Sequence, residues 1–159
     1  MKNHQLFIYF ICLVSAMGGL LFGYDWVVIG GAKPFYEEYF HIAGNEGMQA
    51  LTMSIALLGC LLRATMAGFL ADRYGRKKLL VLSAFIFFAS SWATGAATAI
   101  PAFIIARLVG GMAIGLAADL SPMYIAEVAP TQIRGKLVTL NQLTIVLGIL
   151  GAQIVNMLI

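Results

Sequence analysis

Charged residues are scarce in this chain of 159 residues: they make up 11% of it, whereas 61% of the residues are hydrophobic. Soluble domains average about one quarter charged and about one half apolar. A soluble helical domain also needs a charged face opposite its apolar stripe, and the sequence has no such face. The shortage of charge therefore argues against an ordinary soluble protein and points to a membrane.

Groups that carry out chemistry are also few. The two cysteines, Cys12 and Cys60, lie inside apolar segments without the spacing of a metal site, as small buried hydrophobes do. His4 and His41 stand alone in polar flanks. No nucleophile–base set or phosphate-binding glycine loop is found. We predict a carrier and not an enzyme, with no metal site and no cofactor.

The hydrophobic residues fall into five segments, each near the ~20 residues that a helix needs to cross a bilayer. We predict transmembrane spans at about 6–31, 48–71, 79–99, 102–124 and 137–159. The first continues past Phe22 and so exceeds the roughly 7–15-residue core of a cleaved signal peptide. This favours a first membrane helix, with a signal peptide as the alternative. The predicted fold is an all-α membrane bundle.

Basic residues gather on one side of these spans: Lys2, Arg73, Arg76, Lys77, Lys78, Arg134 and Lys136. The other side has only Lys33. The positive-inside rule then predicts a cytoplasmic N-terminus in the cell inner membrane. The net charge of +3 is therefore a topology signal and not a nucleic-acid surface.

Small residues recur at the spacing of close helix contacts. The sequence has Gly19-x-x-x-Gly23, Ala64-x-x-x-Gly68 and Gly111-x-x-x-Gly115. We expect these three pairs to pack helices together.

Four ionisable residues lie within the predicted spans: Asp25, Arg63, Arg107 and Asp119. Counting along each helix places Asp25 and Arg107 about 8 Å below the same boundary, so the two can pair. Protonation of the acid would then release the base, as a proton-coupled switch requires. A permanent salt bridge that only orients the helices is the alternative, and the residues alone leave both open.

Arg63 and Asp119 form a second acid–base set at matched depth, near the cytoplasmic side. We hypothesise that they neutralise each other across the second and fourth spans. Snorkelling of Arg63 toward the interface and tolerated damage in a drifting sequence are the alternatives.

Several motifs together resemble the sugar porter family of the major facilitator superfamily. They are GLLFGYD (19–25), ADRYGRK (71–77), RLVGGMAIG (107–115), PMYIAEVAP (122–130), IRGK (133–136) and NQL (141–143). They occur in the family's order and spacing over essentially the whole chain. Because Asp25 stands where proton-coupled members keep an acid, the chain most resembles bacterial D-xylose–proton symporters.

The resemblance implies roles for individual residues. Asp25 would accept the proton, with Arg107 as its partner. Gln142 would bind sugar hydroxyls, with Phe22 and Ile145 as apolar walls beside it. A cytoplasmic gating network would comprise Asp72, Arg73, Gly75, Arg76, Glu127 and Arg134.

The resemblance also implies a fold of twelve helices in two halves, with the substrate between them. This chain would then be an incomplete N-terminal six-helix half, whose partners are a sugar, a proton, the lipid bilayer and the missing C-terminal half. The expected function is proton-coupled transport of a pentose or hexose by alternating access. The alternative is a non-transporting fragment, or a half-molecule that pairs with another membrane chain.

Overall fold

A computed structural model describes residues 2–158, with side-chain burial for 6–65 and 67–158. The described residues form five α-helices: α1 (Lys2–Tyr39), α2 (Glu46–Tyr74), α3 (Arg76–Gly95), α4 (Ile100–Val128) and α5 (Arg134–Leu158). Each contains a stretch long and apolar enough to cross a membrane. The all-α class is therefore confirmed.

The first helix extends to Tyr39, beyond residue 31 where the predicted first span ends. Pro34 lies inside it, where the missing N–H usually costs ~3 kcal/mol. The helix continues because its last turns are packed. The ring of Tyr36 lies against that of Phe103 in α4, with centroids 5.3 Å apart, and both side chains are buried. Tertiary contact thus overrides the local signal to end the helix.

An N-cap residue and a glycine set the two ends of α2. At its start, the side chain of Asn45 accepts a hydrogen bond of 3.1 Å from the Met48 N–H, as N-cap residues do. At its end, Gly75 alone separates α2 from α3 and has φ +83°, a conformation that favours glycine. The chain therefore reverses within one residue. This turn lies at the end of the bundle that carries Arg73, Arg76, Lys77 and Lys78.

The fourth helix lies at the centre of the bundle. It contacts each of the other four helices, and its buried residues extend from Phe103 to Ile125. It runs antiparallel to α1, since Ser121 donates a hydrogen bond to the Ser15 carbonyl while Arg107 meets Asp25 further along. This register brings the two ends of the predicted ion pair to the same depth.

Close helix contacts are made through glycines, in two similar pairs of parallel helices. In the α1–α5 pair, a Cβ on Gly23 would collide with the backbone of Ile145, and a Cβ on Gly148 would collide with that of Leu20. The first of the three small-residue motifs is thus confirmed as a packing surface.

The α2–α4 pair repeats this arrangement. A Cβ on Gly111 would collide with the Ala56 backbone, and one on Gly59 would collide with that of Leu108. The Gly111-x-x-x-Gly115 motif is therefore confirmed. The Ala64-x-x-x-Gly68 motif makes no such contact among the described residues, since none of them lies within 4 Å of a Cβ placed on Gly68.

We predict that Gly148→Val destabilises the bundle by separating α1 from α5. Overpacking typically costs about 1–3 kcal/mol, and here the obstacle is backbone, which yields less than a side chain. The measurement is the free energy of unfolding of the purified chain in detergent. Gly151→Val is the matched control, since a Cβ there meets nothing within 4 Å. Equal losses in the two variants would contradict the packing argument.

Candidate functional site

An ion pair between α1 and α4 forms the centre of the site. Arg107 Nη1 donates to Asp25 Oδ1 at 2.8 Å, and the two side chains are only 10% and 15% exposed. The pairing expected from their matched depth is therefore present. Charged side chains are rare at membrane depth and usually face a partner or a cavity. This pair has both.

The guanidinium of Arg107 retains unused hydrogen-bonding capacity. Its Nε is buried and has no hydrogen-bond partner, while Nη1 is committed to Asp25. Asp25 is the one carboxylate that pairs with Arg107 among the described residues, and a buried charge depends strongly on the ionisation of such a partner. The geometry is thus sensitive to a proton on Asp25.

A cavity of about 230 Å³ opens beside the pair, between α1, α2 and α4. Its lining includes Phe22, Asp25 and Trp26 from α1, Met53, Ser54, Leu57 and Cys60 from α2, and Arg107 from α4. A second cavity of about 500 Å³ lies on the α3 side and shares Asp25 and Arg107 with the first. The ion pair therefore stands in the wall between two cavities.

Of the three predicted sugar-binding residues, Phe22 alone lines one of the two cavities described beside the ion pair. Phe22 lines the first cavity beside Asp25. Gln142 is exposed on α5, outside the lining of both cavities beside the pair. Ile145 is half-buried and lies against Gly19 and Gly23 of α1. Ile145 therefore takes part in the packing of α5 against α1.

Part of the predicted gating network is assembled at the basic end of the bundle. Arg76 forms ion pairs of 2.9 Å with Asp72 and with Glu127, which links the α2–α3 turn to the end of α4. Arg73 lies over the Tyr74 ring at 5.7 Å. Arg134 donates a 3.4 Å hydrogen bond to the Ala129 carbonyl. Neither of these two arginines forms an ion pair within the described part of the chain.

The hypothesis of a second intramembrane pair is wrong. No salt bridge joins Arg63 and Asp119, both of which lie among the described side chains. Asp119 is exposed and Arg63 is half-buried. Counting residues gives their depth but not the rotation of each side chain about its helix, and matched depth alone did not bring the two together.

Polar residues of α5 that tie it to α1 were missed from the sequence. Thr144 Oγ1 donates to the Ala16 carbonyl at 2.7 Å, and Asn156 Nδ2 donates to the Val27 carbonyl at 2.9 Å. The signal was a stripe of small or polar residues at helical spacing within an apolar span: Asn141, Thr144, Gly148 and Ala152, all buried. Side chains of this kind join membrane helices because lipid offers them no partner.

The family model for "Sugar (and other) transporter" matches residues 11–159. The chain belongs to this family of transporters. It is 37% identical over 153 residues to the galactose-proton symporter of Escherichia coli, covering 96% of this chain and 32% of that protein. It is likewise 37% identical to the D-xylose-proton symporter of Escherichia coli, covering 98% and 36%.

The fold of this sugar transporter family member matches a solved structure of the major facilitator superfamily. The proton:xylose symporter XylE bound to 6-bromo-6-deoxy-D-glucose aligns with a TM-score of 0.87 at 36% identity. That alignment covers 97% of this chain and 38% of XylE. The chain thus spans about a third of the length of its curated relatives. The resemblance to sugar porters and to part of the major facilitator fold is confirmed.

We predict that Asp25→Leu destabilises the chain more than the double variant Asp25→Leu/Arg107→Met. Removal of one partner leaves an uncompensated buried charge, which typically costs about 3–5 kcal/mol, whereas replacing both with apolar residues is often near neutral. Unfolding of the purified chain by detergent titration measures both. Asp119→Leu is the control, as an exposed acid without an ion pair in the described chain. An equal effect of Asp25→Leu and Asp119→Leu would contradict the prediction.

Proposed function

We propose that this chain forms the front part of a proton-coupled carrier that imports a pentose or hexose by alternating access. The observation that carries the proposal is the buried Arg107–Asp25 pair beside a cavity. Its similarity to a galactose-proton symporter and to a D-xylose-proton symporter supports the proposal.

Proton binding on Asp25 is the coupling step of this mechanism. A neutral carboxyl no longer balances the guanidinium of Arg107, so the 2.8 Å contact weakens and α1 and α4 are freer to shift. The proton biases the transporter only through its different affinity for the two orientations of the carrier. Sugar binding biases the same equilibrium, and this links the two fluxes.

The sugar would be held by Gln142, with Phe22 and Ile145 nearby. The amide of Gln142 both donates and accepts hydrogen bonds, which suits a ring of hydroxyls. Its exposure on α5 leaves it free to bind. Because Ile145 packs against α1, its contribution is to fix the helix that carries Gln142.

Further helices would complete the binding site. Gln142 and Gln153 are both exposed, three helical turns apart on α5. Amide side chains facing lipid without hydrogen bonds are costly. We therefore assign this face to an aqueous path or to the remaining helices of a complete transporter, consistent with relatives about three times as long.

The basic end of the bundle would act as a latch. Asp72, Arg76 and Glu127 form its ion pairs, and Gly75 makes the turn that places Arg76 beside Glu127. Arg73 and Arg134 are exposed there and available to a second half. Exposed pairs of this kind are individually weak, which allows them to break when that end opens.

We assign this end to the cytoplasm and the chain to the inner membrane. Helix α1 begins with Lys2 at this same end, because α1 runs antiparallel to α4 and parallel to α5. Basic connections are retained on the cytoplasmic side.

We predict the orientation to be measurable with single cysteines in a Cys12→Ala/Cys60→Ala background. A membrane-impermeant maleimide should label Glu38→Cys in intact cells, because that residue lies at the outer end. It should label Lys78→Cys only after permeabilisation. The reverse pattern would overturn the orientation.

We predict that Asp25→Asn abolishes proton-driven sugar accumulation but retains sugar exchange. The chain is reconstituted in proteoliposomes, alone and together with the remaining helices of the Escherichia coli D-xylose-proton symporter. Labelled D-xylose and D-galactose are followed with and without a proton gradient. Asp119→Asn is the control and should keep accumulation.

Two outcomes bear on the alternatives. Accumulation that survives Asp25→Asn would refute the coupling role. A parent that moves no sugar in either preparation would favour the alternative of a non-transporting chain, or of a half-molecule that pairs with a different membrane protein.

A further inference from the structure

Trp26 is a large aromatic residue left exposed next to the buried ion pair. It follows Asp25 directly in α1 and is 52% exposed. It lines the 230 Å³ cavity together with Asp25 and Arg107. The ring of Phe22 lies one turn away, with a centroid distance of 6.2 Å and an interplanar angle of 30°. The two rings form an aromatic wall one helical turn long.

The lining of the cavity combines apolar and polar groups. The aromatic wall of Phe22 and Trp26 and the side chains of Met53 and Leu57 are apolar, while Asp25, Arg107 and Ser54 bring charge and hydrogen-bonding groups. The volume of about 230 Å³ lies below the ~300–1,000 Å³ typical of sites for drug-sized ligands. Such a space suits a small ligand that is itself apolar on one face and polar at its rim.

A cyclic sugar has this character. The C–H groups on the face of the ring are weakly electropositive and fit the negative face of an aromatic ring, whose quadrupole favours such contacts. The hydroxyls at the rim need donors and acceptors. An indole provides a larger face than any other side chain and loses little conformational entropy when it binds.

We propose that Trp26 is a specificity-determining residue whose indole stacks on the ring of the sugar in the cavity beside Asp25. The inference rests on the proposed sugar-carrier function and adds to it a contact from α1. Stacking next to the proton-binding carboxylate also places the sugar ring one residue from the coupling pair. Two adjacent residues of α1 would then bind the two substrates: Trp26 contacts the sugar, and Asp25 binds the proton.

The chain offers its own control. Its only other tryptophan, Trp92, is 74% exposed on α3 and is absent from the lining of both cavities beside the ion pair. Exposure to lipid accounts for such a residue. A sugar contact predicts that the two tryptophans respond differently.

The experiment uses the full chain in lipid nanodiscs. In a Trp92→Phe variant, Trp26 is the sole tryptophan, and D-xylose or D-glucose should change its fluorescence saturably. Sorbitol, an open-chain polyol without a ring face, should not. Trp26→Ala should weaken labelled D-xylose binding by about three- to tenfold, the range expected for one aromatic contact. Trp26→Phe should retain most of the affinity, and Trp92→Ala should retain all of it.

The outcomes separate this inference from the proposed function. Equal D-xylose affinity in the parent and in Trp26→Ala, without a fluorescence response, would overturn the stacking contact and leave the sugar-carrier function standing. No labelled D-xylose binding by the parent, either alone or assembled with the remaining helices of the Escherichia coli D-xylose-proton symporter, would overturn both. If Trp26→Ala does not fold, Trp26→Leu decides, because leucine keeps apolar bulk without an aromatic face: unchanged affinity would overturn the proposal.

Discussion

The need to neutralise a buried charge within the membrane governs this structure. Arg107 is nine-tenths buried in the central helix, and its carboxylate partner must come from another helix at the same depth. Asp25 meets that need only if α1 runs antiparallel to α4 in one register. The ion pair is therefore a structural constraint as well as a candidate proton site, and the two roles rest on the same 2.8 Å contact.

Glycines allow the rest of the bundle to satisfy this constraint. They bring α1 onto α5 and α2 onto α4 at backbone contact distance, in two pairs of parallel helices with similar geometry. Between these tight pairs, α1 and α2 touch only sparsely. The gap left between them is the cavity lined by Phe22, Trp26 and Asp25. Tight packing in one place thus leaves a cavity in another, directly beside the ion pair.

Much of the fold could be predicted from the sequence, because membrane helices leave strong local signals. The five apolar segments, the basic connections and the family motifs are all readable along the chain. The errors have one physical origin. Helix α1 continues past the predicted end of the first span because Tyr36 and Phe103 make a contact that no local pattern reveals. The Arg63–Asp119 pair does not form, and the Ala64-x-x-x-Gly68 motif meets no other helix at Gly68 among the described residues. Spacing along a helix does not say which neighbour each face of that helix meets.

The sequence by itself determined the number of spans, the family and the depth of each charge, since these follow from hydropathy and from a fixed rise per residue. Only the tertiary structure decided how each helix is rotated about its axis and which residues its side chains contact. It paired Asp25 with Arg107, turned Ile145 into a packing residue and left Trp26 open to the cavity. Those outcomes depend on which helix faces meet. That choice is made by glycine contacts and hydrogen bonds between segments far apart in the chain.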